Sequence, residues 1–79
     1  MTDAEIFDKL TGVLRRVFDD DRLVARPELT AEDVDGWDSL TNIRFMLSVE
    51  RAFKLRFTAG DVVSLANVGD LARLIHQRT

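Results

Sequence analysis

The residues best placed to do chemistry sit in one short segment, Gly36-Trp37-Asp38-Ser39-Leu40. A serine follows an acid at what reads as a loop-to-helix junction, and an apolar helical pattern comes after it. Three chemistries suit a serine in that place. As a helix cap it would accept a hydrogen bond from a backbone N–H of the first turn. As a nucleophile it would need an adjacent base and a group to orient that base. The single histidine, His76, stands near the far end of the chain, and no Gly-x-Ser-x-Gly elbow surrounds Ser39. As an attachment point for a phosphate-bearing group it would gain from free N–H groups and the positive end of a helix dipole. The motif alone does not raise attachment above the cap.

Other constellations carry less. Asp33, Asp35 and Asp38 with Gly36 loosely resemble a calcium loop. Counted from Asp33, however, the glycine falls fourth instead of sixth, and the twelfth residue is Arg44 instead of glutamate. Cysteine is absent and histidine single, so neither a disulfide nor a thiolate zinc site is available, and no metal is expected. Net charge is −3, and Lys9, Lys54 and Arg56 form no basic stripe, so nucleic acid is not an expected partner. The charge is uneven. Residues 1–38 carry 11 acids and 5 bases, whereas residues 39–79 carry 3 acids and 6 bases. Such a division is either an ordinary solvated surface or a two-signed face that orients the protein on a partner.

The elements that must position Ser39 follow from periodicity. The chain has 79 residues, 46% hydrophobic and 32% charged, which suits one small globular unit and argues against disorder. No apolar run is long enough for a membrane span. Met1 to Lys9 is acidic and amphipathic, unlike a signal peptide, so the expected location is cytoplasmic. Helical period dominates, with no sustained alternation of strand type. A first helix is expected over about 3–18, opened by a Thr2/Glu5 capping box. Its apolar face is Ile6, Leu10, Val13, Leu14 and Val17, and Asp19 to Asp21 end it against the dipole. A long loop follows, with Pro27, a short helical turn at Thr30 to Val34, and Leu23, Val24, Leu29, Val34 and Trp37 to pack it down. A second helix over about 38–53 carries two stripes, Phe45/Val49/Phe53 and Leu40/Ile43/Leu47. One stripe suffices for a core; the other is either buried too or left as a partner site. Short and final helices are expected over 58–65, capped by Thr58, and 67–78, opened by Asn67 and Asp70. The fold class is therefore all-α, a bundle of three longer helices and one short one.

With those elements in order, the chain resembles the acyl carrier protein and peptidyl carrier family. Asp38-Ser39-Leu40 is similar to the family's Asp-Ser-Leu motif, and the following helix closes on Val49-Glu50-Arg51-Ala52-Phe53. Asn67-Val68-Gly69-Asp70-Leu71, about thirty residues downstream, is similar to the Thr-Val-Gly-Asp-Leu start of the last helix. The resemblance covers about residues 4 to 76. It implies a four-helix carrier bundle, monomeric and without catalysis of its own. A phosphopantetheinyl transferase would move 4′-phosphopantetheine from coenzyme A onto Ser39. The prosthetic thiol would then hold an acyl, aminoacyl or peptidyl group as a thioester for loading and downstream biosynthetic enzymes. Asp38 would serve recognition by the transferase, and Leu40, Ile43 and Leu47 would face partners, with Arg44 and Glu50 beside them.

The chain departs from the fatty-acid carriers on that helix. Arg44 stands where glutamate is typical, Thr41 where aspartate is, and Arg51 replaces one of a glutamate pair. Glu50 is the one acid left between Ser39 and Lys54. An arginine facing a basic partner patch costs affinity and association rate. The expectation is therefore a carrier for a specialised pathway, of polyketide, nonribosomal-peptide or aminoacyl type, more than for housekeeping fatty-acid synthesis. Trp37 replaces a small residue and either plugs the loop or touches the prosthetic arm. A small helical interaction domain without a prosthetic group is the alternative, and modification of Ser39 separates the two.

Overall fold

The computed structural model describes residues 1–79. Its elements are α1 (Asp3–Phe18), a 3-10 turn (Ala31–Asp33), α2 (Ser39–Phe53), α3 (Ala59–Val63) and α4 (Val68–Arg78), with no strand. α1 begins where the capping box places it: Glu5 N–H donates to Thr2 Oγ1 at 3.2 Å, and Thr2 N–H donates to the Glu5 carboxylate at 3.0 Å. It stops at Asp19, which takes the left-handed conformation (φ 50°) and returns its N–H to the Arg15 carbonyl. Lys54 closes α2 in the same way, at φ 56°.

The core consists of fifteen buried apolar residues and no buried polar one. Ile6, Leu10, Val13 and Leu14 of α1, Phe45 and Val49 of α2, and Leu71 and Ile75 of α4 are its largest fully buried members. The loop from 19 to 38 is fastened to this core by polar contacts. Arg15 Nε donates to the Leu23 carbonyl at 2.8 Å, and Ala25 N–H donates to Thr11 Oγ1 at 2.9 Å. Val68 N–H and Gly69 N–H donate to the Leu29 and Pro27 carbonyls, both at 2.9 Å. A Cβ on Gly69 would lie 2.9 Å from the Pro27 oxygen, so the loop reaches α4 through a gap that glycine leaves open.

Several expectations shift in detail. Val24 does not pack down; it is exposed, and Ala25 takes the buried place. The anchors at Leu23 and Ala25 turn those two residues inward, and in extended chain the residue between them points out. Val17 and Leu74 are half-buried, while Ala72 joins the core. α3 is shorter than 58–65. Thr58 is its cap, and Ser64 ends it by returning its N–H to Gly60 and Asp61 and its hydroxyl to the Asp61 carbonyl. At α4, Asn67 accepts from Asp70 N–H at 2.8 Å. Asp70 answers to the N–H of Ala66, one residue before the cap, at 3.0 Å.

Candidate functional site

Gly36 and Trp37 set the approach to Ser39. Trp37 N–H closes a turn onto the Val34 carbonyl at 3.3 Å, and Gly36 supplies the positive φ of 84° that this turn needs. The indole then folds back on the bundle. Its ring lies 5.1 Å from those of Phe18 and Phe45, and Nε1–H donates to Asn42 Oδ1 at 3.0 Å. Trp37 is thus a plug that ties the loop to α1 and α2.

Asp38, not Ser39, caps α2. Its Oδ1 accepts from Leu40 N–H at 3.0 Å and Thr41 N–H at 2.9 Å. Thr41 Oγ1 accepts from Asp38 N–H at 2.8 Å and lies 2.7 Å from the Gly36 carbonyl, to which it can donate. The motif is therefore a reciprocal capping box, Asp38 to Thr41. Thr41 is a member that sequence reasoning passed over, although Asp-x-x-Thr ahead of an apolar run was a usable signal. These bonds, the Thr41 amide first, hold the Asp38 carboxyl below its ordinary pKa. The cap's stabilisation is present above the ordinary carboxylate range and is lost as pH falls through the depressed value.

Asp38 also leaves Ser39 free. Asn42 N–H donates to the Asp38 carbonyl at 2.9 Å. With the Leu40 and Thr41 amides already used, Ser39 is the one residue of the first turn whose N–H has no acceptor, and its hydroxyl makes no hydrogen bond and is exposed. The expected cradle of free amides for a phosphate is thus reduced to the amide of Ser39 itself. A negative carboxylate stands beside it. The Ser39 hydroxyl opens to solvent.

Beyond Ser39 the two stripes of α2 separate. Phe45, Val49 and Phe53 are buried, whereas Leu40, Ile43 and Leu47 are 69%, 58% and 49% exposed. Arg44 is exposed beside them. Glu50 is half-buried, and its Oε2 accepts from Phe57 N–H at 2.7 Å, which holds the end of the α2–α3 connection, next to the α3 cap Thr58. The structure thus brings Trp37, Asp38, Ser39 and Leu40 together at one end of α2, with Ile43, Arg44, Leu47 and Glu50 along its length. No three acidic or imidazole side chains converge closely enough to hold a metal ion. His76 is exposed, with Nδ1 3.9 Å from the Asp3 carboxylate.

Sequence reasoning also missed a cavity of about 100 Å³ whose walls include Leu29, Trp37, Asn42, Met46, Leu65 and Val68. Its residues come from the loop, α2, α3, α4 and the α3–α4 connection, so no linear pattern marks it. Room of this size takes a few water-sized groups.

No family model and no curated sequence matches the chain. A solved structure does: the solution NMR structure of a holo acyl carrier protein from Geobacter metallireducens. It shares 44% identity at a TM-score of 0.85, over 90% of this chain and 82% of that one. The chain belongs to the acyl carrier protein family. Its all-α fold is the family's, and membership makes it a carrier, not a catalyst. No helix of the carrier is long and apolar enough to cross a membrane.

Proposed function

We propose that this carrier holds its cargo on 4′-phosphopantetheine joined to Ser39 Oγ. The observation that carries the reading is the state of Ser39. It is exposed at the first position of α2, with a hydroxyl that no neighbour engages, because Asp38 and Thr41 perform the capping. Attachment forms a phosphate ester at Oγ, releases the hydroxyl proton and sets free the nucleotide part of coenzyme A. The group supplies a thiol that holds acyl, aminoacyl or peptidyl cargo as an activated thioester. The chain's own part is positional. Asp38 fixes the first turn of α2, Trp37 pins the approaching loop, and Gly36 makes its turn.

The transferase, a loading enzyme and downstream biosynthetic enzymes are the proposed partners, read through Leu40, Ile43 and Leu47 with Arg44 and Glu50 at the margins. A specialised pathway of polyketide, nonribosomal-peptide or aminoacyl type fits better than housekeeping fatty-acid synthesis. Two arginines replace acids on this face, and the remaining glutamate accepts from Phe57 N–H. Intact mass after incubation with coenzyme A, magnesium and a broad-specificity phosphopantetheinyl transferase tests the reading. One phosphopantetheine-sized increase is expected in the wild-type chain and none in Ser39→Ala. The same increase in folded Ser39→Ala would place the group elsewhere, and no increase in the wild type with two different transferases would favour a plain interaction domain.

A further inference from the structure

The exposed face of α2 has a charge pattern that its apolar stripe does not explain. At 3.6 residues per turn, Leu40, Ile43 and Leu47 lie on one outward stripe, and Arg44 and Arg51, seven residues apart, line one edge of it. Arg44, Ser48 and Arg51 share a groove with Arg16, Val17 and Ala52, between α2 and α1. All three guanidinium groups are exposed, and none is in an ion pair. The one carboxylate on α2 is Glu50, whose Oε2 accepts from Phe57 N–H at 2.7 Å and which forms no ion pair with any of them. At the other end of the helix the sign reverses. Asp38, next to Ser39, and Asp35, four residues before it, are exposed. Arg51 is twelve residues beyond Ser39, about 18 Å along the axis. That is roughly twice the screening length of about 8 Å at physiological salt, so Arg51 acts apart from these acids, whereas Arg44, five residues from Ser39, lies about one screening length along the axis.

We propose that α2 docks, through Leu40, Ile43 and Leu47, on a protein partner that presents carboxylates to Arg16, Arg44 and Arg51. The inference rests on the carrier reading, which supplies the reason for a partner to sit beside Ser39. Three unpaired arginines next to exposed leucines favour a partner that offers both an apolar pad and negative charge. Guanidinium groups pair with carboxylates in forked geometry, and this fixes orientation as well as affinity. The opposite charge at the Ser39 end sets the direction in which α2 lies on that partner, because a reversed helix would place Asp35 and Asp38 against the acids.

The test uses two synthetic amphipathic helical peptides that share a leucine stripe, one flanked by glutamates and the other by lysines. Amide shifts of the full chain, carrying its prosthetic group, are followed during titration. The glutamate peptide is expected to shift Leu40, Ile43, Arg44, Leu47 and Arg51, with affinity falling about tenfold from low salt to several times physiological salt. The double variant Arg44→Glu/Arg51→Glu, at two exposed positions, is expected to keep the wild-type circular dichroism and to prefer the lysine peptide. Equal or stronger shifts of α2 by the lysine peptide on the wild type would overturn the proposal. So would the absence of α2 shifts with either peptide at millimolar concentration, or α2 shifts produced only by anionic phosphatidylglycerol vesicles. The carrier reading fails separately. An unmodifiable chain that still prefers the glutamate peptide keeps the docking polarity and loses the carrier, whereas a modified chain that prefers lysine loses the polarity alone.

Discussion

The two faces of α2 carry similar apolar side chains and meet opposite fates. Phe45, Val49 and Phe53 close the core with α1 and α4, while Leu40, Ile43 and Leu47 face solvent on the same helix. Side-chain chemistry therefore does not decide burial here; the elements packed on each side do. α1, α4 and the fastened loop cover one face. On the other side the nearest element is α3, five residues long, and its own Val63 is 85% exposed. A helix that is apolar on both sides but covered on one has spare apolar surface, and in this carrier that surface begins at Ser39.

Substitutions on the two faces should separate them sharply. The largest effect is expected from Phe45→Ala, which empties a fully buried site in contact with Trp37 and Phe18. A loss of about 3–5 kcal/mol is expected in urea unfolding. A loss below about 1 kcal/mol would mean that the covered face is less tightly packed than its geometry indicates. Gly69→Ala comes next, because it tests the loop that closes the covered side. Its Cβ would press on the Pro27 carbonyl, a backbone atom that cannot swing away. A loss of about 1–3 kcal/mol should appear, with faster amide exchange at Val68 and Gly69. Unchanged exchange there would show that the loop yields freely. Leu47→Ala should do least to stability, within about 0.5 kcal/mol of wild type by thermal melting, because half of the side chain is already in water. A large loss in that variant would move Leu47 to the structural face and erase the contrast.

Much of the fold was legible because it is local. The span of α1, its Thr2/Glu5 box, the Thr58 cap and the Phe45/Val49/Phe53 stripe each depend on residues three or four apart, and the structure reproduces them. The Asp38-Ser39-Leu40 segment marked the start of α2 for the same reason. Its division of labour was less visible. Both Asp38 and Ser39 are good caps, and only the backbone path through Gly36 and Trp37 places the Asp38 carboxylate on the Leu40 and Thr41 amides and leaves Ser39 unengaged.

The sequence by itself determined which segments are helical and, to within a residue or two, where each begins, since caps and periodicity act within a turn or two of chain. Tertiary structure alone decided which stripe of α2 stays exposed, that Val24 points outward, and that Arg16 joins Arg44 and Arg51 in one groove. Each of these depends on elements distant in sequence arriving side by side, and burial and pairing exist only after that packing is complete.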